Sequence, residues 1–521
     1  MHSQQENNTK KLLFAALGLL LFNFLTMPSL FYAGDNYVSR IEAANLIETG
    51  SLGIPYSRRA ELSKHLISRG QNFYENDTKE MYFSKFGIGF TFSYAALYYL
   101  IQAAGIDIDI HYAVSPTRGQ LLVINIIQLF FSLGVMLYLY LTASLYTKNL
   151  FRRGIFVIFS VYGTFLWHYL RAPTHEIFII LLFAGFLFHS LYFLRYIPPA
   201  ADGLNSGENK KHLYAAGVYT AVLLLFKSSY ATLIPALIFC AAVPGYRAGS
   251  NIFSAARSLK KYILPLAVPF AISFLIISFT NALRFESPWN SGYGQWVNPE
   301  GFSRAFFSLK YIPVSLSAFL IKGGNSNIFL FYPVLFFSLP GFKKFFSEHK
   351  KETLFISLVI IPYFLLISAF SYWHAEWCYG PRHLVAILIP AGIPFISFLN
   401  ISAYRKYWSL TKNLLIAAVF GFSFILQFYV NSMNYFAYYR VKYFFSLFKN
   451  DRIDSYIDER ASLHRGLLYI DLAMYRDFNS DFFPIDTLKE LYSAHNDAES
   501  MDKIEKLLAD YIKLNFFLLD R

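Results

Sequence analysis

The chain has 521 residues, enough for several soluble domains, but 55% of them are hydrophobic and only 15% are charged. A globular domain carries about 25% charged residues, and the apolar residues here fall in runs of about twenty, the length a helix needs to cross hydrocarbon. A soluble protein is excluded, and the formal charge of +13, spread in short basic clusters between the runs, predicts cytoplasmic loops facing membrane lipids and no nucleic-acid surface.

Residues 1–11 form a polar tip. The first span covers 12–31, with Lys10 and Lys11 before it and no basic residue after it until Arg40, which sets its N-terminus in the cytoplasm. No small-residue cleavage site follows, so it reads as a retained anchor. Asp35 stands at its outer mouth, where a carboxylate reaches interfacial water. It gains chemical interest only if the next loop folds back over it; otherwise it marks the bilayer edge. In the first loop, 32–84, Tyr37, Ile41, Ala44 and Ile47 recur at helical spacing and Gly50 supplies a stop, predicting a helix on the membrane surface. Gly53-Ile54-Pro55-Tyr56 predicts a turn.

Further apolar runs cover 86–104, 119–146, 154–170, 177–195, 213–226, 229–243, 262–282, 327–340, 352–371, 383–400 and 412–431. The expected fold is an all-α polytopic membrane protein of about 11–13 transmembrane helices, with a membrane module over 1–431. The mixed-charge tail, 432–521, predicts a small helical outer domain whose last helix carries Ile504, Leu507, Leu508, Tyr511 and Leu514 on one stripe. Cys240 and Cys378 fall in or beside different spans, so neither a disulfide framework nor a cysteine metal cluster is indicated.

Basic clusters at 148–153, 195–211, 247–261, 343–352 and 405–412 should all be cytoplasmic. That sends 168–176, Lys227, 283–326, 372–382 and the tail outside. The scheme conflicts with the start of the chain: if 86–104 and 119–146 both cross, the 148–153 cluster lands on the wrong side. Either 86–104 dips in and returns, or the break at 105–118 is misplaced, or this loop violates the charge rule.

The outer segments gather the unusual residues: Asp35; Tyr82, Ser84 and Lys85; His168, Arg171, His175 and Glu176; Arg284 to Tyr293; and Tyr372 to Arg382. They make chemical sense around a polyprenyl-phosphate sugar. Lys85, Arg382 and Lys227, at span ends, could hold a lipid phosphate at the headgroup plane, although each could instead snorkel to ordinary headgroups. Gly87 and Gly380, each two residues from one of these cations, permit close backbone approach. Asp35 could act as general base toward an attacking hydroxyl. His168, His175 and Glu176 could be a divalent-metal site or acid–base partners. Pro173 argues against one continuous helix carrying both histidines, which weakens the metal reading. His374 and Glu376 could border an acceptor sugar, with Trp373 or Trp377 stacking on it, and Tyr82, Arg284 and Tyr379 are further substrate-binding candidates.

In these residues the chain resembles the polytopic GT-C glycosyltransferases, the superfamily of protein O-mannosyltransferases and the aminoarabinose transferases of lipid A, and within it an uncharacterised bacterial branch. The matching elements are a first span ending in Gly34-Asp35, the helix after it, Tyr82-Phe83-Ser84-Lys85-Phe86-Gly87-Ile88-Gly89, Arg284-Phe285-Glu286-Ser287-Pro288-Trp289-Asn290-Ser291-Gly292-Tyr293 and Tyr379-Gly380-Pro381-Arg382. The resemblance spans roughly 12–430. It implies a polyprenyl-phosphate-linked donor, inverting transfer at the outer, periplasmic face of a bacterial inner membrane, Asp35 as the acidic residue of the first loop and a phosphate contact at Lys85. Many members carry a second acidic residue near the third segment. Here that is Glu176, preceded by His175, which leaves metal use open. The acceptor, whether lipid, glycan or protein, is not implied.

Two other classes compete. A transporter or flippase of a lipid-linked sugar would place polar residues mid-span in broken helices, and Lys227 between two short runs fits that pattern. An O-antigen polymerase or ligase would carry its large outer loop late in the chain, whereas here the first loop is among the largest. A purely structural subunit has no reason to collect acids, cations and histidines on one face.

Overall fold

The computed structural model describes residues 17–28, 35–58, 73–103, 105–106, 108, 117–171, 174–196, 207–245, 252–292, 307–321, 326–371, 373, 379–401 and 406–432. The proposed outer domain over 432–521 therefore lies outside the described residues, apart from Ser432. The fold is predominantly helical and polytopic. Six helices among the described residues are long and apolar enough to cross a membrane.

In chain order the helices are α1 (17–25), α2 (Asp35–Thr49), α3 (Ile88–Ala103), α4 (Arg118–Ser144), α5 (Leu150–Tyr162), α6 (Leu166–Arg171), α7 (Glu176–Arg195) and α8 (Gly207–Phe226). They continue with α9 (Ile234–Ala242), α10 (Ile252–Phe285), α11 (Ile312–Leu320), α12 (Ile328–Phe331), α13 (Leu335–Glu348), α14 (Lys350–Ala369), α15 (Val385–Gly392), α16 (Pro394–Leu399) and α17 (Lys406–Ser432). The run 154–170 is broken into α5 and α6 at Gly163, and α11 lies within the stretch 283–326.

The first loop contains a small sheet that apolar-run counting did not detect. Strands β1 (Ile54–Pro55), β2 (Phe73–Asn76) and β3 (Met81–Ser84) lie in the order β1-β3-β2, all antiparallel, with Ile54 opposite Tyr82 and Phe73 opposite Ser84. Gly53 permits the close approach of β1, since a Cβ there would sit 2.5 Å from Met81 Sδ. The helix stop at Gly50 is real: its φ of +75° is the left-handed cap and its N–H donates to Leu46 O at 2.9 Å. However, α2 is buried on every side from Val38 to Asn45, so its apolar stripe is only part of the surface it hides, beneath α3 and β3.

At one end of the bundle the basic clusters meet. Arg152 Nη1 donates to Asn400 Oδ1 at 2.8 Å, Lys344 Nζ to Asn400 O at 3.3 Å and Lys412 Nζ to Ile401 O at 2.9 Å. Arg195 lies 2.7 Å from His349 Nδ1 and 3.7 Å from Glu352. Thus four of the clusters expected on one side, those around 148–153, 195–211, 343–352 and 405–412, share an end.

The opposite end is reached by the start of α4, where Asn125 Nδ2 donates to Pro28 O at 2.8 Å, and by the start of α7. Helix α3 begins against these ends. Phe90 stacks on His175, ring centroids 4.0 Å apart, and Tyr94 packs edge-on to Phe178 at 5.2 Å. Leu97 and Tyr98, further along α3, still line the same cavity as Thr174 and Phe178. Phe90, Tyr94 and Tyr98 of this helix all lie near the residues around the start of α7. Helix α3 also has 16 residues, short of the ~20 a crossing needs.

Candidate functional site

The site end is assembled from the first loop and the ends of α6, α7, α8, α10 and the segment before α15. Its foundation is a buried ion pair that the sequence reading overlooked. Glu42, on α2, accepts the backbone N–H of Ser84 at 3.0 Å and Thr91 Oγ1 at 2.5 Å, and lies 3.6 Å from Arg284 Nε. Burial raises its pKa, while Arg284, Thr91 and the Ser84 N–H pull the other way. Arg284, the penultimate residue of α10, donates to the carbonyls of Ser84 and, at 3.0 Å, Phe86. It was offered by sequence as a substrate ligand; its guanidinium here grips the backbone on both sides of Lys85.

Lys85 is buried, its Nζ 5.5 Å from the Phe86 ring centroid. Tyr82, its neighbour in the motif, packs 4.5 Å from Tyr56 and 6.1 Å from Phe73 within the sheet. Behind Lys85 the chain passes over the last turn of α8. A Cβ on Gly87 would stand 2.2 Å from Phe226 O, and one on Gly89 2.8 Å from the Phe226 ring. These glycines bring the Lys85 segment against the residue that precedes Lys227.

Lys227 breaks the helix pattern, with extended backbone between α8 and the 3-10 turn Ser228–Leu233. His175, immediately before α7, is buried between Phe90 and Phe86, the latter 5.6 Å away. Its pKa is well below the ordinary imidazole value, first because of burial and then because Arg40, Lys227 and Arg382 all act on it. Around it, Arg40 lies over the Tyr94 ring, itself 5.7 Å from the His175 ring. Next to it, Glu176 pairs with Arg382, Oε1 to Nε 3.6 Å. Gly380 lets this segment turn in: its φ is +67°, and a Cβ would meet Phe165 and Phe331 under 3.0 Å. Arg40, also unanticipated, lies 5.4 Å from the Tyr94 ring. The available signal for Arg40 and Glu42 was two opposite charges flanking Ile41 in the middle of an apolar stripe.

The third sequence segment divides. His175 and Glu176 join the cationic centre, whereas His168 and Arg171 fasten helix ends. His168 Nδ1 lies 3.2 Å from Asn431 Oδ1, and Arg171 donates to Asn431 O at 2.5 Å and to Thr26 O. A cation on the carbonyls that end α1 and α17 satisfies unpaired acceptors and the negative helix termini. Tyr379 belongs to the same seam: its carbonyl accepts Tyr169 Oη at 2.6 Å and its hydroxyl donates to Gln427 Oε1 at 3.1 Å. Among the described residues no three His, Cys, Asp or Glu side chains are grouped as metal ligands. Asp35 opens α2, on the same helix as Arg40 and Glu42. Its side chain, and all of His374 and Glu376, lie outside the described residues.

No protein-family model matches the chain and no curated protein matches it. Among solved structures it is similar to the apo oligosaccharyltransferase of Archaeoglobus fulgidus at 12% identity and a TM-score of 0.47, covering 87% of this chain and 60% of that one. It is similar to ArnT from Cupriavidus metallidurans bound to undecaprenyl phosphate at 12% identity and 0.46, covering 79% and 64%. A third is AglB from A. fulgidus in complex with an inhibitory peptide and a dolichol-phosphate, at 14% identity and 0.45, covering 88% and 59%. The chain spans about three-fifths of the length of these structures.

Proposed function

We propose that this chain is an inverting glycosyltransferase that moves a sugar from a polyprenyl-phosphate donor to a lipid, glycan or protein acceptor at the outer face of a bacterial cytoplasmic membrane. The observation that carries this reading is the set of cations gathered around the start of α7: Arg382 on Glu176 at 3.6 Å, Arg40 over the Tyr94 ring that packs on His175, and the glycine-flanked Lys85 segment seated against Phe226, next to Lys227. Cations fixed before the reaction stabilise charge as it develops on a departing phosphate. In this reading Asp35 takes the proton from an acceptor hydroxyl as its oxygen attacks the anomeric carbon. The carbon–oxygen bond to the phosphate breaks on the opposite face, and the lipid phosphate leaves as an anion held by the cations.

Sidedness follows from the charge rule. The end carrying Arg152, Arg195, Lys344 and Lys412 takes the cytoplasm, and counting α3 out of the crossings brings the 148–153 cluster to the same side as the rest. The site end then faces outward. The experiment is binding of undecaprenyl phosphate to the purified chain, read by native mass spectrometry. Binding that weakens in Arg382→Ala and Lys227→Ala is expected; no binding by the unmodified chain overturns the reading. The break at Lys227 is a feature that a lipid-linked-sugar transporter would share. Movement of intact donor across vesicles without sugar transfer would favour that class.

A further inference from the structure

At the end of the bundle away from the candidate active site, three cations from three helices close around the terminus of α16. Arg152 of α5 donates to Asn400 Oδ1 at 2.8 Å, and Lys344 of α13 to Asn400 O at 3.3 Å. Lys412 of α17 donates to Ile401 O at 2.9 Å and Leu399 O at 3.4 Å. Asn400 is the hub: its Oδ1 also accepts Thr147 Oγ1 at 3.3 Å and its Nδ2 donates to Tyr146 O at 3.3 Å. A helix C-terminus carries about half a negative charge, less than three cations supply. The acidic side chain paired with them among the described residues is Glu348, 3.9 Å from Lys344 and half-exposed. All three cations are partly exposed, and apolar side chains open to the surroundings border them in sequence: Phe151 at 76% exposure, Leu410 and Leu414 on α17, Phe342 and Phe346 on α13.

We propose that this cluster is a binding site for the headgroup of an anionic phospholipid, with the cations on its phosphate and the exposed rings and leucines along its acyl chains. Positive charge alone would suit any phosphate; the apolar border is what selects a lipid. The site is independent of the transferase reading, since it shares no residue with the cationic centre around His175.

The test uses the full chain in nanodiscs of phosphatidylcholine doped with phosphatidylglycerol, extracted and read by native mass spectrometry for retained lipid. Phosphatidylglycerol retained over phosphatidylcholine is expected. Affinity should fall roughly fivefold per cation removed, about 100-fold in the triple variant Arg152→Gln/Lys344→Gln/Lys412→Gln. The charge-preserving triple Arg152→Lys/Lys344→Arg/Lys412→Arg retains the lipid, which separates loss of charge from loss of fold. Equal retention by the unmodified chain and the Gln triple, or no preference for the anionic lipid, overturns the proposal. So does a thermal stabilisation by inorganic phosphate that equals the one by phosphatidylglycerol, which would make it a free-phosphate site.

Discussion

Glu42 and Arg284 meet 3.6 Å apart, both almost entirely out of solvent, and between them they hold both edges of the backbone that carries Lys85. The pair joins the first loop to the end of a helix that comes far later in the chain. Removing one partner leaves the other buried and uncompensated, which costs about 3–5 kcal/mol. Glu42→Ala and Arg284→Ala should each destabilise by that order, and the double variant by clearly less than the sum. A thermal-denaturation cycle with additive effects would show that the two do not act together.

The same carboxyl gives a pH signature. Its pKa in the folded chain is raised, so the folded state holds the proton over a window in which the unfolded chain has released it. Stability from this group therefore falls as pH rises from about 4.5 through the raised value, and Glu42→Gln should flatten that limb of a melting-temperature profile. An unchanged limb would place its origin elsewhere.

His175 acts with the opposite sign. Its folded pKa is depressed, so below about pH 6.5 the unfolded chain takes up a proton that the folded one refuses. Stability drops on acidification there and is constant above. A transferase pH–rate profile should therefore show no limb near pH 6.5 assignable to it. A limb near 6.5 that vanished in His175→Gln would contradict this.

Asp35→Asn should lower sugar transfer by about 10²–10⁴-fold, the range for a lost general base, with expression and melting temperature retained. Lys85→Ala should cost about 10²-fold in donor use while the protein still folds. Full-rate transfer by the first, or donor dependence unaltered by the second, removes the role given to that residue.

Gly87→Ala tests the seam directly. The added Cβ would overlap the Phe226 carbonyl, and a backbone oxygen cannot swing aside, so the Lys85 segment must shift. We expect about 1–3 kcal/mol of destabilisation and weakened undecaprenyl phosphate binding. Native affinity in a folded Gly87→Ala protein would show that the Lys85 segment can move without consequence.

Much of the helical framework was legible because a run such as 119–146 or 177–195 needs nothing beyond its own composition to declare itself. The sheet was not, since β1 has two residues and its reason for forming is Tyr82, on a strand elsewhere in the loop. Whether α3 crosses stayed open in the sequence, because apolar content does not distinguish a helix packed against other helix ends from one in lipid. The Lys85 motif and the residues around His175 were visible as unusual residues at span ends. Arg40 and Glu42 were not, because a charge inside a helix signals burial only through its partner, and Glu42 finds its partner at Arg284.

Arg284 also imposes an order on synthesis. The loop between α1 and α4 leaves the ribosome well before the end of α10, so Ser84 and Phe86 cannot receive their guanidinium until that later helix has been made and inserted. The Lys85 segment is thus latched only after the spans between it and Arg284 have been made.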